Sequence, residues 1–592
     1  MDNYQHSFHI PVMGLAYTVD TPVKVAHLGI SSVISIVDDF LMEKMREFYS
    51  RKMDMPFREI PVKVDDFRAK RITEYLNLID RIVSQKYEQM VETFHQKESE
   101  FQKYLNLLPN AATLRERFNQ ALQQKSLSEV KNWIRSNFKP GSIDVNIMTK
   151  LDKVNYRNNE PLPTEYNDAH AALRGFANST LSSSLVLSAG MNPRLYSYLE
   201  NFEDFYPDTE GKLKKKIILK VSDYRSALIQ GRMLAKKGIW VSEYRVESGL
   251  NCGGHAFASQ GYLLGPILHE FAEKRQELTE TVIPVYLEAL KEKGKNQSLK
   301  PELKVTAQGG VGTNEEHTFL LSEYKLDSIG WGTPFLLVPE VCNIDTESLE
   351  LLRKAGEEDV YLSEASPLGV PFNNVRNSSQ QKQINEFIAA GKPGFPCTKR
   401  YLTFNTEYTE RPICTASTRF LKTKIAEIEA GDLSEEEKKK EIALCLEKEC
   451  LCEGLTNPAY LANGIEPDFK RSGVSICPGP NIAYFDQVVS LEKMIGHIYG
   501  KINLLSRLKR PNLFIKELGM YTEYLEKKLS RFDHATDKKQ LSYYRTFRDN
   551  MKEGIVYYRQ LFKRCEENLC EMAKDVFNQL DHFELKLESF HI

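Results

Sequence analysis

The sequence lacks most of the features that would assign its class at once. No stretch approaches the roughly 18 consecutive apolar residues of a membrane helix. The first residues, MDNYQHSFHIPVMG, do not have the basic-then-apolar order of a secretory signal. A cytoplasmic protein without a membrane partner is expected. Ten cysteines in 592 residues are too sparse for a disulfide framework, and reducing surroundings would keep them as thiols. Neither sign of charge dominates: 79 basic residues face 81 acidic ones, a net charge of -2. Nucleic acid is therefore not an expected partner, and a short basic run such as Lys212 to Lys216 reads as a solvated face. There is no fixed-period repeat and no low-complexity linker. With 41% hydrophobic and 27% charged residues, the chain has the composition of an ordinary globular protein.

What is present is an alternation of strands and helices. HIPVMG, TVDTPVKVAHLG and ISSVISIVDD read as strand, helix and strand, with Thr21 and Pro22 opening the helix and Gly29 closing it. From about residue 41 to 165 the period becomes helical: Ile72, Tyr75, Leu76, Ile79, Val83, Tyr87 and Met90 recur at steps of three and four. Pro109 and Asn110 interrupt this pattern, and Ser126 with Glu129 signals a capped new helix. Strand-like runs return at SSLVLSAG, KIILKVS, GIWVSEYRV, LKVTAQGGV and SIGWGTPFLLV, with helical stretches between them. Residues 1–40 and 166–420 thus read as one α/β domain, 41–165 as a helical insertion, and 421–592 as a helical C-terminal region. Ser434 and Glu437 form a further capping box there. Tyr544, Phe547, Met551, Ile555, Tyr558, Phe562, Cys565, Leu569, Met572 and Val576 read as one long amphipathic helix, packed on the protein's own helices or on another copy.

Two glycine turns follow the last strong strands: Gly309-Gly310-Val311-Gly312-Thr313 after KVTAQ, and Gly332-Thr333 after SIGW. Glycine turns between a strand and a helix leave backbone N–H groups open to a phosphate. Two of them after consecutive late strands suit the phosphate site of a TIM-type (β/α)8 barrel better than an open sheet. A third glycine turn, GLNCGGH, spans Gly249 to His255 and carries Gly253 and Gly254. Its Cys252 is either a packing residue or a thiol touching substrate. Cys445, Cys450, Cys452 and Cys477 lie close in sequence, but they have neither the CxxC pairs of zinc sites nor the spacing of ferredoxins.

Taken in order, these motifs resemble the nitronate monooxygenase (2-nitropropane dioxygenase) family, barrels that bind FMN. IPVMGLAYTVDTPVKVAHLG resembles the family's opening strand and helix, and IILKVSDYRSALIQGRMLAKKG the unit before its active site. GLNCGGH, VTAQGGVGT and SIGWGTPFLL fall where that family has its GGH turn, phosphate loop and GT turn. The resemblance implies that Gly310, Gly332 and Thr333, within the turns of Gly309 and Gly312, hold the FMN phosphate. Met13, Gly14, Gly253 and Gly254 would lie against the flavin, Lys220 would reach its ring, and His255 would be the catalytic acid or base. An imidazole with its ordinary near-neutral pKa can both give and take a proton. The chain departs from simple monooxygenases in its insertion and in its C-terminal region. There, SGVSICPGPNIAYFDQVVSLEKMIGHIYGKINLLSR resembles the trans-acting enoyl reductases of polyunsaturated-fatty-acid and polyketide synthases.

The resulting expectation is an FMN-dependent oxidoreductase that reduces an enoyl thioester, small or carried on an acyl-carrier domain. No GxGxxG fingerprint is present, so NAD(P)H would bind only transiently. Two alternatives stay open: a monooxygenase oxidising alkyl nitronates with oxygen, and a flavin-binding interaction subunit. A flavin enzyme acting on RNA is disfavoured by the balanced charge.

Overall fold

The structure, a computed structural model, describes residues 4–188, 190–253, 259–298, 302–467, 471–505, 509–530, 532, 538–565, 570–590 and 592. Eight parallel strands close into a barrel. In chain order they are β1 (Phe8–Ile10), β2 (Ser31–Ser35), β3 (Ile143–Ile147), β4 (Ser184–Leu187), β5 (Lys216–Val221), β6 (Val241–Glu247), β7 (Lys304–Gln308) and β8 (Ser328–Gly330). Each strand neighbours its predecessor, and β1 closes the ring by pairing with both β2 (His9 with Ser31) and β8 (Phe8 with Ile329). The strands have both faces covered, as a parallel sheet requires, yet β3 and β6 interleave their apolar residues with buried polar ones, Asp144, Asn146, Arg245 and Glu247. The TIM-type barrel expected from the glycine turns is the fold of this chain.

Helix α1 (Thr21–Val25) and a short 3-10 turn join β1 to β2. Pro22 sits in the first turn, and Gly29 ends the unit at φ 78°, a left-handed position where a side chain would meet the Tyr104 ring. Between β2 and β3 lie α2 (Asp39–Lys52), α3 (Phe67–Glu92), α4 (Glu100–Leu107), α5 (Ala111–Gln124) and α6 (Leu127–Asn137). The α3 stripe from Ile72 to Met90 is buried as its period requires. Each such side chain contributes about 1.5–3 kcal/mol by leaving water. The helical reading of 41–165 is amended by a small antiparallel pair, Tyr156–Arg157 with Glu160–Pro161, and above all by the barrel strand β3 inside it. Its five residues are all buried, with Ile143, Val145 and Ile147 β-branched, but they are too few to register against the helical period around them.

The barrel continues with α7 (Asp168–Ala177), α8 (Tyr224–Ala235), α9 (Leu264–Glu292) and α10 (Asn314–Glu323). Beyond it, the C-terminal region packs α11 (Leu513–Leu529) and α12 (Lys538–Cys565) against α9 and each other, with α13 (Cys570–Glu588) on α11 and α12. The single long helix read over 544–576 is corrected here. Arg559 pairs with Asp581 and Glu584, and Lys552 with Glu588, contacts that one straight helix could not make; Leu569 lies outside the described residues. The apolar stripe from Tyr544 to Phe562 is nonetheless buried as its period implied. Among the described residues, no helix is long and apolar enough to cross a membrane.

Candidate functional site

The barrel strands point their C-terminal ends at a cavity of about 560 Å3. Ser35, Asn146, Ser188, Lys220 and Glu247, at or just past the ends of β2 to β6, line one part of it. Gly14 and Gly253 line another, and Leu368, Val370, Phe372 and Leu455 from beyond the barrel complete an apolar wall. Active sites of such barrels gather at this mouth because the strand ends deliver side chains from many separate segments.

Glu247 organises the polar part. Its Oε1 pairs with the Lys220 ammonium at 2.7 Å and accepts from the Asn251 amide at 2.7 Å and the Gln308 amide at 2.6 Å. All four side chains are at least nine-tenths buried, so the charges are compensated and their positions fixed. Two strands from Lys220, on β3, Asn146 is 3% exposed, and its Oδ1 has no hydrogen-bond partner among the described residues. A buried acceptor left open at a cavity wall is a ready partner for a ligand N–H. Deeper in the barrel, Arg245 pairs with Glu243 at 2.7 Å. Burial, followed by the charge on Arg245, holds the His9 imidazole well below its usual pKa, so His9 stays neutral and structural.

Gly14 and Gly253 are fixed against one another: the Gly14 N–H donates to the Gly253 carbonyl at 3.1 Å. Gly253 has φ 78°, and a Cβ there would lie 2.4 Å from the Met13 backbone, so only glycine fits. Met13 is fully buried behind this pair. Cys252 lines the cavity but donates its thiol to the Cys477 carbonyl at 3.3 Å. Burial raises its pKa well above the ordinary thiol value, which suits packing rather than nucleophilic attack. Gly254 and His255 lie outside the described residues.

The five residues expected at a phosphate gather behind Cys252 and do not line the cavity. A Cβ on Gly332 would meet that of Cys252 at 3.2 Å, and one on Gly310 would meet the Leu250 side chain at 2.6 Å. Gly309 backs onto the Asn251 backbone, and Thr333 faces Gly479. Gly312 does not suit a phosphate: its N–H already donates to the Glu316 carboxylate at 2.9 Å, and Arg510 covers it from the other side. Arg510 also pairs with Glu316 at 2.7 Å and donates to the Gly310 carbonyl, so the C-terminal region ties down this turn.

Sequence reasoning singled out Lys220, Gly14 and Gly253, which the fold brings to one cavity, but not Asn146, Ser188, Glu247 or Gln308. Ser188, Glu247 and Gln308 end or directly follow a barrel strand and Asn146 is the penultimate residue of β3, so a polar residue near the C-terminal end of a strand was the available signal. The four clustered cysteines do not converge. Cys477 lies against Cys252, whereas Cys445 sits half-buried on a separate helix. Among the described residues, no group of three or more ligands could hold a metal ion.

The fold and the cavity define a (β/α)8 barrel with a part-polar, part-apolar pocket at its C-terminal mouth. No known family profile matches the chain, and no curated protein sequence matches it. Among solved structures, it is similar to the crystal structure of the enoyl reductase domain of MlnA from the macrolactin biosynthesis cluster of Bacillus amyloliquefaciens. The two are 14% identical, the match covers 71% of this chain and 88% of that one, and the TM-score is 0.32. A likeness this distant assigns no function.

Proposed function

We propose that the protein is an FMN-dependent oxidoreductase that reduces an enoyl thioester with transiently bound NAD(P)H. The observation that carries this reading is the mouth cavity, where a fixed ammonium, an open amide acceptor and two bare glycines face an apolar wall. This donor set fits the ring end of a flavin: Lys220 would donate to a ring heteroatom, Asn146 would accept a ring N–H, and Gly14 with Gly253 would leave room for a flat face. The phosphate end does not fit as the residues stand: its proposed holders, Gly310, Gly332 and Thr333, are separated from the cavity by Cys252 and Leu250, and the Gly312 N–H is already satisfied by Glu316.

When bound, FMN would supply the hydride transfer that the residues lining the cavity do not supply. The protein's own task is position and proton. Glu247 keeps Lys220 from swinging away, because the buried pair cannot separate without stranding a charge. Met191 and Ile229 lie on the cavity, each 51% exposed, and with Leu368 and Leu455 they offer an acyl chain an apolar path. That path favours an enoyl thioester over a small nitronate. By the family resemblance, His255 delivers the proton to the substrate α-carbon.

The test begins with the visible spectrum of the purified protein; no flavin chromophore, even after FMN is added, would refute the cofactor. NADPH consumption dependent on an enoyl thioester selects the reductase. Oxygen uptake on a nitronate without NADPH selects the monooxygenase instead.

A further inference from the structure

Outside the barrel mouth, the feature with the clearest chemistry is a group of thiols that the sequence scatters and the fold collects. The main chain joins the segments around Cys397 and Cys414: the Phe395 N–H donates to the Ala416 carbonyl at 3.0 Å, and the Thr418 N–H donates to the Phe395 carbonyl at 3.0 Å. The thiols of Cys397 and Cys414 on these joined segments are in hydrogen-bond contact, Cys414 donating to the Cys397 sulfur. Cys397 is part-exposed between exposed Pro396 and Thr398, whereas Cys414 is 6% exposed. Its segment is anchored on both sides. Lys399 pairs with Asp38 at 2.6 Å, Tyr401 donates to Asp38 at 3.0 Å, and Thr398 donates to Glu453, two residues before the cavity-lining Leu455.

We propose that Cys397 and Cys414 are a redox-active pair, an oxidative modification site that takes a low-molecular-weight disulfide such as glutathione disulfide. In the first step the Cys397 thiolate attacks one sulfur of the oxidant, forming a mixed disulfide and releasing one glutathione thiolate. Cys414 then gives up its proton and attacks the Cys397 sulfur, releasing the second. The protein loses two protons and two electrons, and the oxidant becomes two thiols. Cys397 is the entry point. The hydrogen bond from Cys414, then the Arg400 N–H and charge, bring its pKa from 9.0 to about 7 despite burial. The neighbouring Cys450 and Cys452 are pushed up by burial, Cys450 to about 12, which leaves them as inert thiols.

At neutral pH about half of Cys397 is thiolate, against about 1% for an ordinary thiol. Because nucleophilicity falls with pKa, the net gain in attack rate is about tenfold. The full-length protein is incubated with glutathione disulfide, quenched with acid, alkylated and digested. A Cys397–Cys414 crosslinked peptide that dithiothreitol removes is expected. In Cys414→Ser a glutathione adduct should persist on Cys397. Iodoacetamide should label Cys397 of the unmodified protein about tenfold faster than the same residue after unfolding. Absence of the crosslink in the natural sequence, or its formation with Cys450 or Cys452 instead, overturns the proposal. That measurement stands even if Cys414→Ser does not fold.

Discussion

Glu517, on α11, is fully buried and holds both ends of the segment that contains GLNCGGH. Its Oε1 accepts from the Ser248 hydroxyl at 2.7 Å, its Oε2 from the Leu264 N–H at 2.7 Å, and the Gly249 N–H also donates to it. Burial raises its pKa from 4.5 to about 7, against these hydrogen bonds. The native state therefore binds the proton more tightly than the unfolded chain. This contribution to stability is complete below about pH 4.5 and lost as pH rises through about 7. At about 1.4 kcal/mol per pH unit the loss is about 3 kcal/mol. Glu517→Gln removes the titration, and its amide can still meet Ser248 and Leu264. Unfolding entropy of about 2.1 cal/mol/K per residue over 592 residues converts 1 kcal/mol to about 0.8 °C. Relative to the variant, the natural sequence should lose about 2 °C in Tm by calorimetry between about pH 5 and about pH 8. An unchanged gap between the two proteins would refute a neutral, buried Glu517 as the clasp.

Other expectations follow from the same contacts. Asn146→Ala should leave Tm within about 1 °C and weaken FMN binding about tenfold, the loss of one hydrogen bond, as read by fluorescence titration. Lys220→Met leaves Glu247 a buried carboxylate without its cation, which costs about 3–5 kcal/mol and should lower Tm in calorimetry. Arg510→Ala strands Glu316 in the same way and should also free the turn at Gly310, seen as faster amide exchange over residues 309–313. Gly253→Ala puts a methyl against Met13 at a left-handed position. A loss of about 2 kcal/mol or more is expected, measured by urea unfolding, with the mouth cavity distorted as well.

The barrel was legible in two steps: alternating strand-like and helical patterns pointed to an α/β domain, and the two late glycine turns favoured a closed barrel over an open sheet. The glycine turns told which strands come late. Two elements escaped that reading for local reasons. β3 is a five-residue run, Ile143–Ile147, with too little length to carry a period of its own. The break between α12 and α13 interrupts an apolar stripe that continues in register on both sides of it.

The surroundings of the mouth come from long-range packing. Glu247 meets Gln308 across 61 positions, Glu517 meets Ser248 across 269, and Arg510 meets Glu316 across 194. No local pattern encodes such pairs, since they depend on where the closed barrel brings distant segments together. The same holds for Gly312: in the sequence it is one glycine of a phosphate-type turn, and in the fold its N–H is already satisfied by a carboxylate. Strand-end chemistry was written in the chain, but which ends share a cavity and which turns stay open was settled by barrel closure and by the C-terminal helices packed over it.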